Sequence, residues 1–395
     1  MPTTREGAPG VVDDARGKMR DTVRMNSIDR SSANTVAEVR IPLQAIKGRG
    51  AATRLAHRFE KDAREAFDDG WDIVEEDGEI PKPATQVIWE TARSIISSND
   101  SPDIHFDRSL NPYRGCEHGC IYCYARPTHS YLNLSPGLDF ETKIIAKRNT
   151  VELLRHEMSR KGYQPQLIAI GTVTDCYQPV ERDLKITRGV IELMAETNHP
   201  FALVTKSSGV ERDIDLIAPM AAKGLAAVYL TITTLDADLA RRLEPRAAAP
   251  HRRLRTLRTL AENGIPCGVS LAPQIPFLND DMEQVLEAAW DAGAREAFYH
   301  VLRLPWEVAP LFKQWLEVHY PQRAARVMHR VQDMRGGKDY DSNFATRMKG
   351  SGAWSDLLAQ RFRKTVDRLG FNAKKHHFPT AEFRAPSPVG QATLF

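Results

Sequence analysis

The sequence of 395 residues predicts an α/β fold built on parallel strands. Two observations support this prediction: short, almost continuous apolar runs recur along the chain, and longer segments with helical spacing lie between them. Parallel strands that are covered by helices on both faces have this continuous apolar character. The apolar runs are Leu167–Ile170, Phe201–Val204, Ala227–Leu230, Gly268–Leu271 and Phe298–Leu302. With a first strand just before the cysteine loop that begins at Cys116, the pattern gives six strand–helix units, which build a parallel sheet or a barrel.

The chain is predicted to have five parts. Residues 1–36 contain few large apolar groups and are predicted to be a disordered lead, because they cannot bury enough surface to offset the entropy of ordering. Residues 37–100 are predicted to be an N-terminal arm, which includes the run Lys47–Gly50 and an acidic, solvated run at Phe67–Glu79. Residues 101–304 hold the strand–helix units, and 305–375 form a helical extension. Residues 376–395, with three prolines, are an irregular tail.

Helical spacing of apolar residues marks Ile186–Met194 and Met282–Ala289 as helices between strands. Asp280 is predicted to cap the second helix, with Glu283 three residues later. After Leu304 the pattern becomes helical. Three further helices are predicted: one that carries Leu311, Trp315 and Val318, and two at Ala324–Met334 and Trp354–Leu369.

Composition sets broad limits on the class of protein. The apolar fraction of 42% and the charged fraction of 27% are those of a soluble globular protein. A net charge of +3 neither requires nor excludes a nucleic-acid partner. No apolar run is long enough for a membrane helix, and the amino terminus lacks the apolar core of a secretory signal. Clustered thiols in an unexported chain favour the reducing cytoplasm.

The strongest functional signal is the run Cys116–Cys123, in which three of the five cysteines stand at spacings of four and three residues. Thiolates bind soft metals, so the run predicts a metal or iron–sulfur site. A closed zinc site needs four ligands, and an ordinary ferredoxin cluster needs four cysteines. Three cysteines leave one iron of a 4Fe–4S cluster open to a substrate or cofactor.

A second interpretation is a zinc site of three cysteines and one histidine, either His118 or His129. No paired C-x2-C or H-x3-H follows, as zinc modules usually show. The corresponding function is a non-catalytic iron–sulfur or zinc protein that binds nucleic acid. The Arg-rich segment Arg246–Arg258 supplies guanidinium groups that match phosphates, although such a segment equally fits a solvated helix face.

The run Cys116–Cys123 resembles the motif of the radical S-adenosylmethionine (SAM) superfamily, C-x3-C-x2-C with an aromatic residue, here Tyr122, before the last cysteine. The resemblance implies a 4Fe–4S cluster held by Cys116, Cys120 and Cys123, with SAM chelated at the fourth iron. It further implies that a reductant such as flavodoxin or ferredoxin drives cleavage of SAM to methionine and a 5′-deoxyadenosyl radical. The six units then match the partial (β/α)6 barrel of this superfamily, with an N-terminal arm and a C-terminal helical extension.

From about Ser101 to Leu304 the chain resembles the spore photoproduct lyase-like branch of that superfamily. The turn-rich run Gly171–Glu181 after the second strand carries this resemblance, together with the cysteine motif. It implies an enzyme of lyase or transferase type and raises nucleic acid as a substrate class. Peptide and small-molecule substrates stay open, because one fold hosts many chemistries.

The same resemblance assigns cofactor-binding roles to residues at strand ends, where barrel enzymes carry their function. Thr174 matches a serine that approaches the amino end of SAM, and Asp175 stands beside it in the same turn. Lys206 matches a lysine near the SAM carboxylate, a role that suits a compact point charge. A solvated surface lysine is the alternative.

Thr231 and Thr233 match hydroxyl residues that reach the methionine or the ribose. They are two residues apart on a strand and therefore share a face, although threonine is simply common in strands. Tyr122 is expected to pack near the adenine.

One position departs from the branch. The lyase carries a hydrogen-donating cysteine two residues before the position of Thr174, and here that position is Thr172, which cannot form a thiyl radical. Cys176, two residues on the other side, is therefore the candidate catalytic hydrogen donor. A free cysteine is often just a small buried hydrophobe, which is the alternative for Cys176 and the prediction for Cys267.

Overall fold

The computed structural model describes residues 44–60, 84–374 and 376–387. The predicted disordered lead, the acidic run and the last residues of the tail, 388–395, lie outside the described residues. The strands of the described part are, in chain order, β1 (Gln86–Glu90), β2 (Ile96–Ser98), β3 (Arg108–Leu110), β4 (Tyr113–Arg114), β5 (Lys143–Lys147), β6 (Ile168–Ile170), β7 (Phe201–Thr205), β8 (Ala226–Thr231), β9 (Cys267–Gln274) and β10 (Glu296–Val301).

A seven-stranded sheet forms the centre of the fold, with the strand order β10-β9-β8-β7-β6-β3-β2. The six strands from β3 to β10 are parallel to their neighbours, and β2 adds an antiparallel edge. The sheet is therefore open, with β2 and β10 as its edges, and the prediction of a partial barrel with six parallel strands is confirmed. The carboxyl ends of the six parallel strands lie along one edge of the sheet, where barrel enzymes carry function.

Helices follow the parallel strands and cover the sheet. In chain order they are α1 (Leu138–Thr142), α2 (Thr150–Met158), α3 (Glu181–Leu184), α4 (Ile186–Thr197), α5 (Ile214–Ala222), α6 (Ala237–Leu243), α7 (Pro250–Glu262), α8 (Met282–Asp291), α9 (Val308–His319), α10 (Pro321–Asp333) and α11 (Ala353–Leu369). The predicted helices at 186–194, 282–289, 311–318, 324–334 and 354–369 are all present. None of the helices in the described ranges is long and apolar enough to cross a membrane.

The turns that lead from these helices back into the sheet depend on glycine. Gly224, Gly264 and Gly293 end the turns after α5, α7 and α8, each with a positive φ. Glycine adopts this backbone region without steric cost and often ends a helix for that reason. At Gly293 a Cβ atom would stand 2.4 Å from the Cβ of Ala261, so the close approach of α8 to α7 also excludes a side chain.

One detail of the predicted helix α8 is wrong: its N-cap is Asp281, not Asp280. The Asp281 side chain does not cap the helix, because its Oδ2 accepts hydrogen bonds from the Thr234 hydroxyl at 2.8 Å and the Leu235 N–H at 2.6 Å. The carboxylate ties α8 to the turn after β8 instead.

A second sheet, with the order β1-β5-β4, was not predicted. Strand β4 has only two residues, and β1 has a short apolar run, Val87–Trp89, whose side chains are exposed and not covered by a helix as those of the central strands are. This sheet matters for the site because β4 leads directly into Gly115 and Cys116.

Candidate active site

The three clustered cysteines lie in the loop that follows β3 and β4, at the carboxyl edge of the large sheet. Glycines shape this loop, since Gly115 and Gly119 both have positive φ. The N–H of Cys116 donates to the Phe140 carbonyl at 2.9 Å. Cys116 and Cys120 are each 7% exposed and Cys123 is half-buried, and none of the three forms a disulfide.

Gln178 and Glu117 fix this cysteine loop to the run after β6. The N–H of Glu117 donates to Gln178 Oε1 at 2.9 Å, and Gln178 Nε2 donates to the Gly115 carbonyl at 3.2 Å. The Glu117 carboxylate accepts from the Val180 N–H at 2.7 Å and pairs with Arg246 at 3.0 Å. These bonds hold the backbone on both sides of Cys116.

Asp175 links the cysteine loop to the end of β7. Its carboxylate accepts hydrogen bonds from the Thr205 hydroxyl and the Lys206 N–H, both at 2.7 Å. Its Oδ2 also lies 3.2 Å from His118 Nδ1. Burial disfavours the charged carboxylate, but His118 and these hydrogen bonds outweigh that effect and hold the pKa of Asp175 below its usual range. The predicted site residue is therefore at the site, and its oxygens are already engaged by the protein.

Tyr122 takes part in a buried polar network that sequence reasoning missed. Its hydroxyl donates to Glu244 Oε1, which also accepts from the Thr233 hydroxyl at 2.6 Å. Arg253 pairs with the other oxygen of Glu244 and donates to the Thr231 carbonyl at 2.8 Å. The network joins the cysteine loop, the end of β8 and helix α7.

Lys206 points toward the same network. Its Nζ lies 5.9 Å from the centre of the Tyr122 ring and, among the residues that the structure describes, makes no hydrogen bond or close ion pair. Burial lowers the pKa of this ammonium group, but Cys120 and Glu244 outweigh burial, and the pKa is raised overall. This geometry leaves a cation that is free to bind an anionic group of a ligand.

The predicted threonines differ in how far the protein uses their hydroxyls. Thr233 donates to Glu244, and Thr174 donates to the Tyr113 carbonyl at 3.1 Å. Thr231 is 3% exposed, and its hydroxyl makes no hydrogen bond within the described part of the chain. Thr231 is therefore the threonine whose hydroxyl is available to a ligand.

Cys176 is fully buried in the main hydrophobic core, as expected of the alternative interpretation for this residue. Its sulfur lies so close to Gly171 that a Cβ there would be 3.0 Å away. Burial raises the pKa of the thiol, and Asp175 adds to this effect. Cys267 is also buried, in β9, as predicted.

The residues present fit an iron–sulfur cluster in their donor chemistry. Burial raises the pKa of Cys120 to about 12, so a metal cation would be needed to keep such a thiol ionised. Among the described residues no three His, Cys, Asp or Glu side chains form a group arranged to hold a metal ion. In a cluster, each cysteine binds a different iron, so the sulfurs need not meet at one point.

The two histidines of the zinc interpretation have other contacts. His118 lies beside Asp175, and the Nε2 of buried His129 is 3.0 Å from the Lys143 carbonyl. Three arginines of the Arg-rich segment form ion pairs within the protein. Arg246 pairs with Glu117, Arg252 with Glu211, and Arg253 with Glu244.

Comparison with known proteins places these features in a family. The profile of the radical SAM superfamily matches residues 110–289. An uncharacterised protein of Mycobacterium tuberculosis is 34% identical over 224 residues, which are 56% of this chain and 66% of that protein. An uncharacterised protein of Methanocaldococcus jannaschii is 30% identical over 213 residues, which are 54% of this chain and 76% of that protein. The chain thus spans just under two thirds of the mycobacterial relative.

Solved structures with a similar fold include two of spore photoproduct lyase. One, a mutant, has a TM-score of 0.49 and 14% identity and covers 72% of this chain and 80% of that chain. Another mutant, with bound S-adenosylmethionine and dinucleoside spore photoproduct, has a TM-score of 0.46 at the same identity and coverage.

Proposed function

Since the chain belongs to the radical SAM superfamily, we propose that it is a radical SAM enzyme whose 4Fe–4S cluster is held by Cys116, Cys120 and Cys123. When bound, the cluster and SAM supply the reductive cleavage that yields a 5′-deoxyadenosyl radical, which takes hydrogen from the substrate. The observation that carries the proposal is that three free cysteines lie in one loop at the carboxyl edge of the sheet, where the ammonium group of Lys206 lies 5.9 Å from the ring of Tyr122 in the same loop.

Within this proposal, the chain's own residues bind and orient SAM. Lys206 binds the SAM carboxylate, and Thr231 offers its free hydroxyl to the methionine or ribose. Tyr122 packs against the adenine with its hydroxyl held by Glu244. Asp175 acts as a positioning residue, because its carboxylate fixes the backbone N–H of Lys206 rather than facing a ligand.

For the substrate we propose nucleic acid as the first class to test. Tyr124, directly after the last cysteine, is 43% exposed, and the Arg303 guanidinium lies 5.0 Å from the centre of its ring. Arg303 has no carboxylate partner within 4 Å among the described residues, and the Nε of its side chain is buried without an acceptor. An exposed aromatic ring can stack on a nucleic-acid base, and an arginine beside it that has no carboxylate partner can bind the phosphate of the same nucleotide.

The alternative function is a non-catalytic metal protein that binds nucleic acid through Arg246–Arg258. Three arginines of that segment pair with carboxylates of the fold, while Arg255 and Arg258 are exposed. Two exposed arginines on one helix are also what a solvated face presents. The catalytic proposal therefore has more support from the site.

The test begins with anaerobic reconstitution of the full chain with iron and sulfide. We expect a brown protein that, with dithionite and SAM, forms 5′-deoxyadenosine and methionine. Cys120→Ala is the matched control and should form neither. A colourless zinc protein without SAM cleavage would reject the proposal and favour the alternative. Addition of single-stranded oligonucleotide, with Arg303→Ala as control, then tests whether nucleic acid changes the rate of SAM cleavage.

A further inference from the structure

The N-terminal segment at residues 44–60, here called the arm segment, contains no helix or strand and lies against the cysteine loop. The N–H groups of Gly50 and Ala51 donate to the two carboxylate oxygens of Glu141, at 3.0 Å and 2.9 Å. Glu141 is fully buried and lies more than eighty residues further along the chain. One carboxylate therefore binds the arm segment through its backbone.

The same carboxylate reaches the cysteine loop through Arg126. Arg126 Nη2 lies 2.5 Å from Glu141 Oε1, and both side chains are buried. The guanidinium also donates to the Cys120 carbonyl at 2.9 Å and to the Gly119 carbonyl at 3.1 Å. A chain of buried, charge-assisted bonds thus runs from the arm segment to the backbone of Cys120, and such bonds are stronger than neutral ones.

Gly50 brings the arm segment into direct contact with the loop. A Cβ atom on Gly50 would stand 1.9 Å from the Gly119 carbonyl oxygen and 3.3 Å from the Ile121 nitrogen. Gly119 and Ile121 are the neighbours of Cys120 in the chain. Because both atoms belong to the backbone, neither can move aside by a side-chain rotation. Only glycine fits at residue 50 without moving the loop.

Further contacts hold the rest of the arm segment against the same region. The Ser135 hydroxyl donates to the Leu55 carbonyl at 2.7 Å, and Arg58 pairs with both oxygens of Glu307 at 3.0 Å and 2.8 Å. The arm segment is therefore fixed at Gly50 and Ala51 and again further along the chain at Leu55 and Arg58.

We propose that the arm segment is a strap that positions Cys120 and its neighbours for metal binding, with Gly50, Glu141 and Arg126 as its positioning residues. The strap keeps the loop in one backbone conformation and excludes water from its outer face. The metal-binding part of this inference rests on the function proposed above. The conformational part does not, because all of its contacts are made between residues of the chain itself.

The first experiment measures hydrogen exchange of the metal-free full chain. Gly50→Ala should raise exchange of the amides in the Cys116–Cys123 loop and leave β7 and β8 protected. Gly48→Asn is the matched control, because a Cβ at residue 48 meets nothing within 4 Å and asparagine tolerates the positive φ there. Glu141→Gln, which keeps the shape of the side chain, should raise exchange of the loop amides in the same way. It replaces Gly50→Ala in the experiment if that variant fails to fold.

The second experiment measures the rate of iron loss to a chelator after reconstitution. We expect iron to leave Gly50→Ala about tenfold faster than the wild type and Gly48→Asn, since a steric misfit of this kind costs on the order of 1.4 kcal/mol or more. Unchanged loop exchange in Gly50→Ala and Glu141→Gln, or exchange raised equally in the central strands, would overturn the strap. A wild type that binds no iron would reject the proposed function alone, and loop exchange would still decide the strap.

Discussion

Arg253 and Glu244 form an ion pair in the interior of the protein, directly behind Tyr122. Arg253 is 1% exposed and Glu244 is 2% exposed. Burial disfavours both charges, but each compensates the other, so the pKa of Glu244 is lowered and that of Arg253 is raised. The Glu244 carboxylate also accepts the hydrogen bond of the Tyr122 hydroxyl and helps to raise the pKa of Lys206.

Removal of Arg253 should destabilise the whole fold. In Arg253→Ala the buried Glu244 carboxylate loses its cation, and breaking one partner of a buried pair costs about 3–5 kcal/mol. Urea unfolding of the metal-free protein measures this loss. Arg255→Ala, at an exposed position of the same helix, should change stability by no more than about 0.5 kcal/mol. Equal effects of the two substitutions would contradict the structural role of the pair.

The cysteines should separate into two groups. Cys116→Ala, Cys120→Ala and Cys123→Ala should each abolish the visible absorption of the reconstituted protein, because in the proposed site these three thiolates are all of the cluster's protein ligands. Cys176→Ala and Cys267→Ala should keep the absorption, since both residues lie outside the Cys116–Cys123 run, Cys176 in the turn after β6 and Cys267 in β9. Iron content per chain is the measurement. If Cys176→Ala loses as much iron as Cys120→Ala, the assignment of the ligands is wrong.

Lys206→Ala should weaken SAM binding while the colour of the protein survives. The expected loss is about 1.5–3 kcal/mol, the range for a hydrogen bond to a charged group. Equilibrium dialysis with labelled SAM measures it. Lys364→Ala on helix α11 serves as the control for loss of a lysine away from the site. An affinity equal to that of the wild type would assign Lys206 to the surface.

His199 should make stability depend on acid pH. Its Nε2 accepts from the Tyr163 hydroxyl at 2.8 Å, its Nδ1 lies 3.0 Å from the Pro200 carbonyl, and burial lowers its pKa from 6.5 to about 4. As the pH falls below 6.5, the unfolded chain takes up a proton that the folded chain resists. The stability that His199 contributes above pH 6.5 is therefore lost toward pH 4.

Between pH 7 and pH 5 this loss should be about 2 kcal/mol. Unfolding by urea at the two pH values should show a pH dependence that is smaller by that amount in His199→Gln. His329→Gln, at an exposed position of α10, is the control and should behave as the wild type. The same pH dependence in all three proteins would exclude His199 as the cause.

The middle of the central sheet could be predicted because strands such as β6 to β9 are buried along almost their whole length. Runs such as Phe201–Val204 have no polar residue that would allow another assignment. Five of the six parallel strands lie at the five predicted runs, and the sixth, β3, lies before the cysteine loop as expected. Strand β1 was not predicted: its apolar run is only three residues long, Val87–Trp89, and among the described strands it pairs with β5. Its pairing depends on a strand more than fifty residues away, which no local pattern reveals.

The site was predictable only in part, for a related reason. The spacing of the cysteines is a local property, so it marks the loop directly. Glu244 and Arg253 contribute to the site because they are buried. From the sequence alone, a charged residue that faces the core cannot be told from one that faces water. Arg253 lies four residues from exposed Ala249 and two from exposed Arg255, and only the packing of α7 against β8 sets it apart.

The last prediction concerns the hydrogen donor and separates this protein from spore photoproduct lyase. By the resemblance described above, Thr172 matches the position at which the lyase-like branch carries a cysteine, and its carbonyl accepts a hydrogen bond from the Tyr124 hydroxyl. An O–H bond of threonine is too strong to give hydrogen readily to a carbon radical. Cys176, the other thiol of this turn, is fully buried in the core.

We therefore expect the wild type to repair dinucleoside spore photoproduct slowly and to leave adducts of the substrate radical, for example with sulfite from dithionite. Thr172→Cys should raise the yield of clean repair, because it restores a thiol at the branch position. Cys176→Ala should change neither the yield nor the formation of 5′-deoxyadenosine. The measurement is chromatography of the products from the three proteins under the same anaerobic conditions. If the wild type repairs the lesion fast and cleanly and Cys176→Ala does not, Cys176 is the hydrogen donor. If Cys176→Ala also repairs it fast, quenching of the substrate radical does not need a thiol in this turn.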